Sequence, residues 1–310
     1  MTRAVVATAY GDPDVLSVTD VQLDPPGPGE VLLEVRAAGI NPVDWKTYSG
    51  GRSSDPAKLP LRLGFEAAGV VLALGPDVDT VAVGDEVIAL RISGAYADQV
   101  VVPATALVPK PASLPWAEAA GLMLAGATAV HALTAVGLEA GETVLVHGGA
   151  GGVGLMLVQL AKLRGAAVVA TASERNFPLL RRFGAEPVTY GDGLADRVRA
   201  AAPQGVDAAV DAVGTDEAVD VSLELVGDVQ RIASIAAFGR GDTGIRLLGG
   251  GPGADPGTEL RDAARPELAR QAGAGDLVVV VDRAYALAEV AEAHRHSKDG
   301  HASGKVVLVP

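Results

Sequence analysis

The apolar positions of this chain fall into two textures. Up to Pro115 they form short Val-rich runs at Ala4–Ala7, Val31–Ala37, Gly69–Leu74, Glu86–Ala89 and Gln99–Val102. Turn-forming stretches such as "YGDPDVL", "DPPGPGE", "SGGRSSDP" and "VGDEV" separate them. Short strands at this spacing predict a mostly β domain, barrel or sandwich-like. Beyond Pro115 the pattern predicts two helices, Trp116–Met123 and Ala125–Ala135, with Ser113 capping the first and Gly137 just past the second.

Strand and helix periods then alternate. Strands are expected at Val144–His147, Val168–Thr171, Val188–Tyr190, Ala208–Asp211 and Arg231–Ile235, and helices at Val153–Leu163, Pro178–Phe183, Leu194–Ala201 and Glu217–Leu225. Such alternation implies right-handed crossovers and a doubly wound parallel sheet. A Gly-rich stretch, Ala236–Gly257, holds a short candidate strand at Ile245–Leu248. Helices at Thr258–Ala272 and Leu287–Ser297 and strands at Leu277–Val281 and Lys305–Val309 close the pattern. The fold class is therefore α/β: a doubly wound (Rossmann) domain plus a mostly β domain.

Composition narrows the function. The 310 residues are 49% hydrophobic and 20% charged, as in an ordinary globular protein. A net charge of −13 speaks against nucleic acid and anionic membranes as partners. With no cysteine there is no disulfide framework, thiolate zinc site or cysteine nucleophile. The N-terminus lacks a signal-like apolar region, and no apolar run approaches the ~20 residues of a membrane span. A soluble cytoplasmic protein is expected.

The candidate chemistry starts at "HGGAGGVG". Gly149, Ala150, Gly151, Gly152, Val153 and Gly154 satisfy GxGxxG where a strand ends and a helix begins. Gly149 is expected to permit the tight turn, Gly151 and Gly152 to let the backbone approach a pyrophosphate, and Gly154 to bring helix and strand together. The helix N-terminus would face the anion. The bland alternative is a flexible loop. The tip of the next strand, "TASERN", has Thr171 and Ala172 where an acidic residue would select NAD. Ser173, Arg175 and Asn176 follow and can donate to a 2′-phosphate, so NADPH is expected. Glu174 is read as pointing to solvent. Ligands bind at the carboxyl ends of parallel strands, which places Val213 and Gly214 by the adenine ribose and Ala236 to Gly239, including Phe238, by the nicotinamide half.

These blocks resemble the medium-chain dehydrogenases/reductases, specifically their zinc-independent NADPH:quinone oxidoreductase (zeta-crystallin-like) branch. The resemblance spans the chain in family order: "AAGINPVDWKTYSG", "LGFEAAGVV", "GAYADQVVVP", "VLVHGGAGGVGLMLVQLAK", "DAAVDAVG" and the C-terminal "VDRAYALAEVAEAHRHSKDGHASGKVVLVP". It implies a GroES-like catalytic domain at 1–117 and 261–310 and a Rossmann domain at 118–260, with the active site expected in a cleft between them. Zinc-dependent relatives place a cysteine and a histidine where this chain has Asn41 and Phe65. No metal site is expected. The resemblance implies hydride transfer from NADPH to a quinone or an α,β-unsaturated carbonyl, and a homodimer. Two alternatives stay open: an enoyl or enone reductase tailoring one biosynthetic intermediate, and a non-catalytic NADPH-binding protein.

The branch also suggests site residues. Asn41 matches its asparagine, expected near the nicotinamide or substrate oxygen; otherwise it is an Asn-Pro turn residue. Lys46 falls where the branch often has tyrosine. It is either a donor to the carbonyl, with Tyr48 sharing that work, or a solvated lysine. Asp44 is read as structural. Tyr96 either faces the cleft or packs in its strand. Thr128 either contacts the nicotinamide amide or bonds its own helix backbone. Of the histidines, His147 is expected to order the glycine loop, and His294, His296 and His301 to be solvated rather than metal ligands. Ala236–Gly257 is either a mobile lid or a disordered loop.

Overall fold

The structure is a computed structural model that describes residues 1–51 and 53–310. It divides into two compact units, Met1–Leu124 with Pro266–Pro310, and Ala125–Arg265. Both divisions fall inside helices, Trp116–Ala135 and Thr258–Ala274.

The first unit is a mostly antiparallel, barrel-like assembly. Its organising element is the strand Glu30–Ile40, whose first half alternates buried Val31, Leu33 and Val35 with half-buried neighbours. That period of two is what a sheet with one face on a core requires. From Ala37 to Ile40 the alternation ends and burial is continuous. Register shifts between Leu32 and Leu33 and between Val35 and Ala37 bend the strand against its partner Glu66–Leu74. Gln99–Pro103 and the C-terminal strand Lys305–Val309 also pair with it. The core gathers Val5, Leu33, Val87, Val100 and Leu308 with the ring of Tyr48.

The second unit is doubly wound. Its six strands are Thr143–His147, Ala167–Thr171, Glu186–Val188, Ala208–Asp211, Ile232–Ser234 and Arg246–Leu247. They pair in parallel in the order third, second, first, fourth, fifth, sixth. The order reverses beside the first strand, and a ligand crevice belongs at the carboxyl end of such a switch point. Val144, Leu145 and Val146 are fully buried, as strands covered on both faces must be.

Four expectations are corrected. The predicted helices Trp116–Met123 and Ala125–Ala135 are one helix, Trp116–Ala135. Its Gly121 marks close packing instead of a break, because a Cβ there would sit 3.1 Å from Lys305 Cγ and 3.2 Å from Val279. Ser113 caps nothing; its hydroxyl donates to Gly273 O. The strand expected at Leu277–Val281 forms at Val281–Ala286, because that segment finds a parallel partner in Lys305–Val309. The helix Pro42–Tyr48 was foreseen only as a turn.

Candidate active site

Strand register builds the polar end of the first unit. Ala38 lies opposite Ala67, and Ile40 opposite Val306. Glu66 and Lys305 are the residues next to those partners, and so they meet beside Asn41. Lys305 Nζ donates to Glu66 Oε1 at 2.9 Å, to Asn41 Oδ1 at 2.5 Å and to Ile40 O at 3.3 Å. Asn41 Nδ2 donates to Glu66 Oε1 at 2.9 Å, and Leu124 N to Glu66 Oε2 at 2.8 Å. Glu66 and Lys305 are 0% and 4% exposed, so the pair is desolvated and holds only because each charge is also hydrogen-bonded. Gly39 makes room for it: a Cβ there would lie 2.4 Å from Glu66 Oε1. Sequence reasoning missed both charges. The glutamate was quoted only within "LGFEAAGVV", and the lysine lies 239 residues further along the chain.

Asp44 joins this cluster to the neighbouring loop. Its carboxylate accepts from Asn41 N at 2.8 Å and Gly64 N at 3.2 Å, the structural role expected of it. Complete burial pushes its carboxyl up to about 7, against the opposing pull of the Asn41 amide, the Tyr96 hydroxyl and Lys305.

Several expected site residues are engaged elsewhere. Asn41 was expected to address a nicotinamide or substrate oxygen, but its amide is committed to Glu66 and Lys305. Tyr48 was expected to share catalytic work. It is instead a core residue, 1% exposed, whose hydroxyl meets His294 Nδ1 at 3.0 Å. Tyr96 is fully buried rather than facing a cleft. Its hydroxyl lies 3.4 Å from Gly39 O and also bonds the Asp44 carboxyl. His294, expected to be solvated, is fully buried between the two tyrosine rings, and burial pulls it down to about 4. Lys46 is half-buried on the helix Pro42–Tyr48, with Nζ 5.4 Å from the centre of the Trp45 ring.

In the second unit the glycine loop has a strand on one side and the helix Gly152–Leu163 on the other. The tight turn falls at Gly148, with φ +75°, and not at Gly149 as expected. Gly149 serves close packing instead, since a Cβ there would be 2.7 Å from Ala170 Cβ. Gly154 cannot carry a side chain: its Cβ would sit 2.1 Å from Gly148 O. Thr171 anchors the loop by accepting from Gly148 N through Oγ1 at 3.0 Å and from Gly149 N through its carbonyl at 2.9 Å. His147 does not order it; its Nε2 pairs with Ser222 Oγ at 3.1 Å, on the helix Asp216–Leu225.

The loop fits a pyrophosphate. Leu155 is bonded to Gly151 O, and no side chain among the described residues caps the helix. The amides of Gly152, Val153 and Gly154 are thus left for an anion at the positive end of the helix. Nothing lies nearer than 3.5 Å to a Cβ built on Gly151.

Ser173 and Asn176 are half-buried just past the second strand and bonded to one another at 3.3 Å, while Glu174 and Arg175 are exposed. At the tip of the fourth strand, buried Asp211 accepts from Val213 N and Gly214 N and from Ser234 Oγ at 2.6 Å. Ser234 Oγ in turn accepts from Ala236 N and Ala237 N. This aspartate, which sequence reasoning did not single out, shapes both turns expected to border the cofactor. Phe238 begins a short helical turn, Phe238–Thr243. Thr128 is buried on its helix, one turn before His131. Asp255 reaches His131 Nε2 at 3.2 Å and caps Gly257 N at 2.8 Å, so the end of the Gly-rich stretch is ordered by its own bonds.

Comparison with known proteins agrees with this geometry. Residues 27–112 match the alcohol dehydrogenase GroES-like domain, and residues 152–248 the zinc-binding dehydrogenase family. A quinone oxidoreductase of Pseudomonas aeruginosa is 34% identical, covering 100% of both chains. An NADPH-dependent alkenal/one oxidoreductase of Arabidopsis thaliana is 32% identical over 99% of this chain and 79% of its own. The crystal structure of Escherichia coli quinone oxidoreductase complexed with NADPH superposes with a TM-score of 0.87 at 26% identity, covering 99% of this chain and 100% of that one. The chain belongs to the medium-chain dehydrogenase/reductase superfamily, and within it to the quinone oxidoreductase branch.

Proposed function

We propose that this protein is a zinc-independent NADPH-dependent reductase that delivers hydride to a quinone or an α,β-unsaturated carbonyl. The observation that carries the reading is the open amide cradle of Gly152–Gly154, followed at the next strand tip by Ser173, Arg175 and Asn176 with no acidic residue at Thr171 or Ala172. Relatives named for quinone and alkenal/one reduction support the acceptor class. Zinc independence rests on residue types. Asn41 and Phe65 stand where zinc relatives have ligands, there is no cysteine, and no group of three His, Asp or Glu among the described residues could hold an ion.

When bound, NADPH supplies the hydride. The chain's own part is to hold it and to stabilise the oxyanion that forms on the acceptor. Among the expected catalytic residues, Lys46 is the cation outside the core, and we assign it the role of donor to that oxygen. Water supplies the remaining proton. Thr128 is assigned to the nicotinamide amide. A homodimer belongs to the same reading, carried by the family resemblance.

Titration with NADPH and NADH, followed by oxidation with a panel of quinones and enones, tests it. NADPH should bind at least tenfold more tightly than NADH. Arg175→Ala should remove about tenfold of that preference, the worth of one exposed charge-assisted contact. Equal affinity for the two nucleotides, or no oxidation with any acceptor, would overturn the reading.

A further inference from the structure

Arg62 ends the short strand Leu61–Arg62 in the first unit. Its Nε and Nη2 are both buried and have no hydrogen-bond partner. Burial lowers its pKa, and no carboxylate opposes that effect. The guanidinium lies flat on Gly94, where a Cβ would be 3.0 Å from Nε and 3.1 Å from Cζ and Nη2. Gly94 also has φ +85°, so two separate constraints keep that position free of a side chain.

Arg62 is half-buried as a whole, yet two of its nitrogens are buried without a partner, which is costly and calls for an explanation. The two orphaned nitrogens share one edge of the group. That edge presents two parallel N–H bonds, the pattern that a carboxylate accepts in bidentate fashion. The location is also informative. Gly64 N, two residues on, is bound by Asp44, which ties the Arg62 segment to the helix Pro42–Tyr48 that carries Lys46. Trp45, beside Lys46, has a buried indole Nε1 that is likewise unpartnered. All three orphaned atoms are donors.

We propose that Arg62 is a specificity residue for a carboxylate on the acceptor, so that the preferred substrate is an anionic enone or quinone. The inference rests on the reductase reading for its reaction but not for its binding step. The edge is covered in the fold described here, so pairing requires Arg62 to turn outward.

The test compares 4-oxopent-2-enoate with its methyl ester as acceptors for NADPH oxidation, and their saturated counterparts, 4-oxopentanoate and its methyl ester, as ligands in calorimetric titration. For the natural chain, the acid-to-ester ratio of kcat/KM should be about ten or more, as should the ratio of affinities. In Arg62→Gln both ratios should fall to about one, and in Arg62→Lys, which keeps the charge but loses the fork, they should lie between. A ratio near one in the natural chain, or one unchanged in Arg62→Gln, overturns the proposal. If no conjugated acceptor is reduced, the reductase reading fails, and the affinity ratio still decides the role of Arg62.

Discussion

Around Asn41, Glu66 and Lys305, polar groups of the first unit find partners within that unit, whereas the first turn of the helix Gly152–Leu163 offers amides that no side chain of the second unit caps. Both regions are built around glycines that cannot be replaced. Gly39 lets Glu66 approach, and Gly154 lets the helix start against Gly148 O. The difference lies in what the close approach serves. In the first unit it completes an internal network, so the residues are scaffold. In the second it leaves donors open, so the loop is a receptor. Sequence motifs do not separate the two cases, because a polar residue held by a ligand and one held by its own chain look alike in one dimension.

The largest test strikes the completed network. Lys305→Met leaves Glu66 buried without its cation, and should cost about 3–5 kcal/mol in the unfolding transition of the first unit. Adding Glu66→Gln removes the stranded charge and should restore most of that loss, a coupling that a double-mutant cycle measures. A single-variant loss below ~1 kcal/mol would mean that the cluster is not the scaffold described. Glycine substitutions come next and should separate fold from binding. Gly154→Ala, with its Cβ 2.1 Å from a carbonyl oxygen, should destabilise the second unit by about 1–3 kcal/mol. Gly151→Ala meets nothing within 3.4 Å and should melt like the natural chain, yet bind NADPH about tenfold more weakly, because a glycine in this loop lets the backbone approach the pyrophosphate. If both variants lost stability equally, the loop would be packed structure and not a receptor.

The cofactor unit was the more legible of the two for a physical reason. Its strands are doubly covered, and every contact in the sheet except that of the first strand with the fourth joins strands that follow one another in the chain. Even there the turn glycine was misassigned, since φ at Gly148 depends on where Thr171 anchors the loop. The barrel unit depends on long-range register. Lys305 meets Glu66 only because the last strand pairs with Glu30–Ile40. The apolar run Leu277–Val280 looks more like a strand than Val281–Ala286, but the latter has the partner. His294 and Tyr48 illustrate the same limit. Both carry polar tips that read as surface or catalytic groups, and each serves as the other's buried partner. The candidate site was thus legible where backbone conformation makes it, and hidden where distant side chains do.

The last test reads a slope with pH and concerns Asp44, which sits at the boundary of the completed network. Burial raises its carboxyl to about 7. Between about pH 4 and that value the folded chain keeps a proton that the unfolded chain has lost, so stability falls as pH rises through this window and is level above it. His294, pulled down to about 4 by burial, has the opposite sign. From about pH 4 to about 6.5 the unfolded chain binds the extra proton, so stability rises with pH. The two slopes oppose one another within the first unit, and its melting temperature should be nearly flat across pH 4–6.5. Asp44→Asn removes only the falling slope. Its melting temperature should then climb with pH, by on the order of 2–4 °C for each kcal/mol uncovered. Parallel curves for the two proteins would show that the Asp44 carboxyl does not hold its proton in the fold, and that its two amide bonds alone define its place.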